Sequence, residues 1–180
     1  DGAVTAAKLA TQPGNLLTEN QASIETDTTG WSTDGGTIAR STSQAYTGSA
    51  SLLVTANNAA AGYGARTTIG TGGVPVTPGQ TYTGVAQLLQ SSGTRQWRVE
   101  IHWWTSAGAY ISNSTGSAVT PTSWTQATVT DVAPATAAYA SLGVYPHTSG
   151  SVSDAVYADA LGLWRGAGGK WQLPGVPIPG

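Results

Sequence analysis

A chain of 180 residues with seven Lys and Arg, scattered, against nine Asp and Glu offers nucleic acid or an anionic membrane no electrostatic footprint. The absence of Cys excludes disulfides and thiolate metal sites, and no apolar run approaches the roughly 20 residues of a membrane-inserted helix. With 24 Gly and 9 Pro as punctuation, and seven Trp and seven Tyr to fill a core, the composition favours one all-β domain, an antiparallel β-sandwich or barrel.

The opening segment, 1–14, is Ala-rich and small, and reads as a connector, helical or extended. It carries no basic-then-apolar leader, and Met is absent even at position 1, so the chain is expected to be a piece of something longer. Turn signals then recur every 8–12 residues or so, as in a sandwich. Strands are predicted at 15–24, 37–41, 51–56, 64–69, 81–90, 96–105, 109–114, 124–130, 139–145 and 155–164. Thr77-Pro78-Gly79-Gln80 is a turn, and Ser106-Ala107-Gly108 closes a hairpin. The last segment, 166–180, is rich in Gly and Pro, cannot sustain a ladder, and reads as a second connector.

Alternation assigns the faces. In 96–105, Trp97, Val99, Ile101 and Trp103 point to the core, leaving Arg98, Glu100, His102 and Trp104 to solvent. In 139–145, Ala140, Leu142 and Val144 point inward and Tyr145 outward. Trp31, Trp97, Trp103, Trp124 and Trp164 read as structural.

An exposed indole among polar neighbours is what a sugar ring needs: a flat apolar plane, with directional partners for the hydroxyls. Trp104, Arg98, Glu100 and His102 meet that description, with Tyr145, His147 and Gln87 on strands able to lie beside them. The alternative is that Trp104 packs under a loop or against another subunit while Arg98 and Glu100 pair on a solvated face. Catalysis is not expected. There is no nucleophile elbow, zinc-protease helix or phosphate loop, and no visible pair of carboxylates for glycoside hydrolysis.

Several motifs in order carry a resemblance. Asn15-Leu16-Leu17, Ile24-Glu25, Gly30-Trp31, the run Tyr46 to Val54, Val76 to Tyr82, Trp124-Thr125, Ala133-Pro134 and Tyr157-Ala158-Asp159 resemble the β-jelly-roll carbohydrate-binding modules of families four, nine and twenty-two. The resemblance covers about 15–165 and implies a jelly-roll sandwich that binds glycans without catalysis. It also implies a structural Ca²⁺ held by Glu25, Asp159 and backbone around Gly48, with carbonyls and water completing six to eight oxygens. Asp159 as a strand-end acceptor for backbone amides is the competing reading. The sequence departs from the family where Ala160 replaces a second carboxylate, and where Ile24 stands for a common aromatic.

The two ends resemble something else. Gly2 to Ala10 is similar to connectors of phage tail and tail-fibre proteins, and Trp171 to Gly175 to connectors in minor tail proteins. This implies a virion setting, host cell-envelope polysaccharide as ligand, and tail-protein partners, with the full particle assembled as a homotrimer. The alternatives are a virion spacer that binds no sugar and a module of a secreted glycoside hydrolase.

Overall fold

The computed structural model describes residues 14–167, so both connectors lie outside the described residues except for their inner edges. The described residues form one short helix, α1 (Glu19–Ser23), and eleven strands. These are β1 (Trp31–Asp34), β2 (Gly36–Ser41), β3 (Ser51–Ala56), β4 (Gly64–Thr67), β5 (Val74–Pro75), β6 (Thr81–Ser92), β7 (Trp97–Trp104), β8 (Tyr110–Thr115), β9 (Thr125–Val132), β10 (Tyr139–Pro146) and β11 (Ala155–Arg165). A 3₁₀ turn, Gly70–Gly72, precedes β5.

The strands make two antiparallel sheets packed as a sandwich, the fold class the sequence predicts. The first sheet runs β1-β4-β10-β7-β8, with β5 also paired to β10; the second runs β2-β3-β11-β6-β9. Between them Trp97, Val99, Ile101 and Trp103 have no exposure, and they meet fully buried Leu52, Val54, Leu88 and Leu163. Each such large side chain contributes about 1.5–3 kcal/mol relative to exposure, so the interior of the sandwich is the main source of stability.

The predicted turns are present. Gln80 N–H donates to Thr77 O across a turn in which Gly79 takes φ 75°, and Thr77 N–H donates to the Tyr82 hydroxyl at 2.8 Å. Two expectations fail, and the last strand departs from simple alternation. Segment 15–24 does not form a strand. The Thr18 side chain accepts from Gln21 N–H while the Gln21 amide takes the Thr18 N–H, a reciprocal cap that nucleates α1. Trp124 and Trp164 are half-buried rather than core. Asp159 does not share a face with Leu161 and Leu163, because a bulge between Asp159 and Gly162, with Ala160 at φ 49°, inserts a residue and reverses the alternation.

Both ends of the described chain meet at β11. Leu16 N–H donates to Leu163 O, and the Asn15 side chain bonds Leu161 O and Leu163 N–H.

Candidate ligand-binding cleft

A concave cleft of about 520 Å³ lies on the outer face of the first sheet. Its lining joins Arg98, Glu100, His102 and Trp104 of β7 with Tyr145 of β10, Arg66 of β4, Asp34 of β1, and Tyr110 and Asn113 of β8. The pairing explains the convergence. Tyr145 lies opposite Arg98, and Asn113 opposite His102, so alternating side chains of neighbouring strands project together.

Five of the seven sequence-derived ligand residues are therefore brought together, but not as a solvated face. Trp104, Tyr145, Glu100 and His102 are all buried, at 5%, 1%, 3% and 5% exposure. Trp104 donates its indole N–H to Ser141 Oγ at 3.0 Å. The Arg66 guanidinium lies 5.3 Å above its ring, and Tyr110 packs edge-on at 5.5 Å. The plane expected to stack on sugar is thus already covered, and Tyr110, 51% exposed, is the aromatic that reaches solvent. Tyr145 lies flat because Gly143 has no side chain; a Cβ there would stand 2.3 Å from the ring. His102 stacks on Tyr145 at 5.1 Å and 13°. Of the remaining two residues, His147 is exposed at the rim, where its Nδ1 meets Arg98 Nη1 at 2.7 Å. Gln87 is buried on the second sheet, opposite Asp159 and Gln126, and does not belong to the cleft.

Glu100 anchors the floor. Its Oε1 accepts from Arg98 Nε at 2.7 Å and is ion-paired with Arg98 Nη2 at 2.7 Å, and its Oε2 accepts from His102 Nε2 at 3.0 Å and Asn113 Nδ2 at 2.8 Å. Burial alone would raise this carboxyl, but the His102 and Arg98 bonds outweigh it and hold Glu100 below its ordinary value. Asp34 Oδ2 is ion-paired with Arg66 Nη1 at 2.8 Å and accepts from the Tyr145 hydroxyl at 2.9 Å. Burial above all pushes the Tyr145 phenol strongly upward, which keeps it a donor. Among the described residues Arg66 Nη2 and Asp34 Oδ1 have no partner, so both remain available to a ligand.

Asp34, Arg66, Tyr110 and Asn113 do not stand out in the sequence as site residues. Asn113 is within reach of such a reading, since the hairpin through Gly108 places it opposite His102. Asp34 ends a four-residue strand that carries too short a pattern to read.

Glu25 and Asp159, the expected metal ligands, both grip the loop that carries Gly48. Asp159 Oδ2 accepts from Tyr46 and Thr47 N–H at 2.8 Å, and Oδ1 from Ala160 N–H. Glu25 accepts from Ser49 N–H, Ser49 Oγ and Ala50 N–H. Burial pushes Asp159 up to about 7; three backbone amides pull it down and the Glu25 charge pushes it up further. Among the described residues no three His, Cys, Asp or Glu cluster as metal ligands, yet Thr47 Oγ1 beside this pair is buried with no partner. All four carboxylate oxygens already accept from backbone amides or the Ser49 hydroxyl, as the competing reading of Asp159 expects; together with the unpartnered hydroxyl they are hard oxygen donors of the kind Ca²⁺ takes.

A second hollow of about 580 Å³ is lined by residues of α1, β4 and β5 and the loops beside them. Its amides are committed: Gln21 holds Thr18, Gly30 and Thr68, and Asn20 holds Asp27 and Thr29.

No protein-family model matches the chain, and no curated protein matches it significantly. Among solved structures it is similar to the Clostridium thermocellum endo-1,4-β-D-xylanase 10B modules CBM22-1 and GH10 complexed with xylohexaose. That likeness has a TM-score of 0.64 at 16% identity over 84% of this chain and 29% of the xylanase chain, so this chain spans under a third of that one. It is also similar to the xylan-binding domain from CBM 22, with TM-score 0.60 and 20% identity over 80% and 92% of the two chains. The enzymatically active domain of bacteriophage CBA120 tailspike protein 4 is matched at TM-score 0.57 and 15% identity, over 84% of this chain and 21% of that one. At these identities the shared property is the fold.

Proposed function

We propose that the chain is a non-catalytic glycan-binding module and that the cleft on the first sheet is its site. The carrying observation is the exposed Tyr110 ring standing over a cleft whose Arg66 and Asp34 still hold unused hydrogen-bonding capacity. A pyranose can stack on the ring while its hydroxyls meet the guanidinium and carboxylate. The likeness of fold to xylan-binding modules supports the reading. So does the state of the buried carboxylate: Glu100 accepts three hydrogen bonds and is ion-paired to Arg98, so it is not a spare acid or base. The test is affinity electrophoresis on soluble xylan and on bacterial envelope polysaccharides. Tyr110→Ala should abolish retention with little change in Tm, because the ring is half exposed. Wild type that is retained by none of these glycans overturns the reading.

For the setting, the resemblance of the two ends to tail connectors points to a virion module docking to host cell-envelope polysaccharide, in a homotrimer; the tailspike likeness adds only a shared fold. The likeness to xylanase modules supports the secreted alternative. Trp104 and Tyr145 are buried within the chain itself, which counts against the binding role expected of them and keeps the virion spacer as the second reading.

A structural Ca²⁺ at Glu25, Asp159 and Thr47 belongs to the same proposal. The ion would neutralise the buried Asp159 charge and fasten the Gly48 loop to β11.

A further inference from the structure

We propose that the cleft carries a pH-sensitive latch in which protonation of His102 displaces Arg66 and releases the ligand; this rests on the glycan-binding reading above. The argument begins with a donor count. A guanidinium only donates hydrogen bonds. Arg66 Nη1 stands 3.1 Å from His102 Nδ1, so Nδ1 must supply a lone pair. The ring proton then sits on Nε2, donated to Glu100 Oε2 at 3.0 Å. Both nitrogens are committed and the ring is buried between Tyr145 and Tyr110, so it cannot turn to exchange them.

Adding a proton to Nδ1 removes its only acceptor site and places an imidazolium against a guanidinium at hydrogen-bond distance. The charged and titratable groups around His102 decide which side yields. Glu100 on the same strand favours the imidazolium, and Tyr145 of β10 offers it a ring face. Tyr110 of β8 packs tilted at 5.9 Å, and Asp34 of β1 reaches the ring only through Arg66. Arg98 is held on the far oxygen of Glu100. Arg66 and Arg98 both oppose the proton, but Arg98 is held by Glu100 and His147, whereas Arg66 touches the imidazole directly and is the one to be displaced. It is linked to the rest of the cleft by the Asp34 contact and by its position over Trp104. Its departure removes a ligand donor, while Tyr110, still edge-on to Trp104, keeps the indole from taking that role, so the acid form binds ligand more weakly.

The test pairs a ligand-free readout with a binding one. In ¹⁵N NMR of the protein as given, His102 should show the Nε2–H tautomer at about pH 8, and acidification to about pH 5 should shift the Arg66 guanidinium signals. His102→Gln, which keeps a donor for Glu100 and an acceptor for Arg66 but does not titrate, should abolish that Arg66 shift. For soluble xylan, or whichever polysaccharide retains the protein, Kd should weaken about tenfold between these pH values in wild type and change little in the variant. An Nδ1–H tautomer at the higher pH, or an unmoved Arg66 signal in acid, overturns the latch. An equal loss of binding in wild type and His102→Gln also overturns it. Wild type that binds no glycan overturns the functional reading alone, and the Arg66 signals still decide the latch.

Discussion

At the scale of single residues, two carboxylates buried in one molecule respond to acid in opposite senses. Glu100 sits below its ordinary value of 4.5, so the stability it confers is present above that value and is lost as the pH falls through its lower folded value. Glu100→Gln removes a charge that two cationic bonds and two others depend on. It should cost about 2 kcal/mol in urea denaturation at neutral pH, with the gap to wild type closing in acid. Asp159 runs the other way. Its value is raised from 3.8 to about 7, so its contribution is greatest below 3.8 and is lost as the pH climbs through about 7. In chelator, wild type should lose on the order of 3 kcal/mol relative to Asp159→Asn across that interval. Added Ca²⁺ should cancel the loss in wild type and leave the variant unmoved; a Tm indifferent to Ca²⁺ removes the metal from the proposal.

At the scale of elements, β10 and β7 build the cleft as a pair, and a glycine decides how. Gly143→Ala would drive a Cβ into the Tyr145 ring at 2.3 Å and lift it from the sheet, breaking the stack on His102 and the bond to Asp34. A cost of about 1–3 kcal/mol is expected, together with loss of glycan retention, which thermal melts and affinity electrophoresis would report side by side. The facing of β7 is legible in sequence because alternation along one strand is a local signal, and Trp97, Val99, Ile101 and Trp103 are indeed core. That the opposite face is buried as well is not legible there. Its cover comes from Arg66, Tyr110 and Tyr145, brought there by strand order, which no window of sequence contains. The same holds for Asp159. Its convergence with Glu25 on the Gly48 loop is implied by the family resemblance, whereas the bulge that turns it away from Leu161 rests on one residue, Ala160, with no composition signal.

At the scale of the whole molecule, the sheets are tied at one end by a single guanidinium. Arg95 lies in the connection from β6 to β7, is 1% exposed, and pairs with Asp154 at 3.0 Å. It also donates to Asn58 O and Ala60 O in the β3–β4 connection and to Ser151 O in the β10–β11 connection. All three connections pass between the two sheets. Arg95→Leu should therefore cost about 3–5 kcal/mol, since it strands a buried carboxylate and several carbonyls. An Arg95→Leu and Asp154→Leu double variant should lose less than the sum of the two single changes, as a denaturant double-mutant cycle would show.

The meeting of both ends of the described residues at β11 has a topological consequence. Because Leu16 and Leu163 are hydrogen-bonded neighbours, the order of the strands in sequence is not essential to their order in space. A circular permutant that joins the two ends by a short Gly-Ser bridge and opens at the exposed Ser106-Ala107 hairpin tip leaves every connection held by Arg95 uncut. Opening the chain at Asn58 instead would sever one of the segments that guanidinium holds. The join beside β11 is thus the replaceable part of the described architecture, and the Arg95 pole is the part around which any rearranged version must still close.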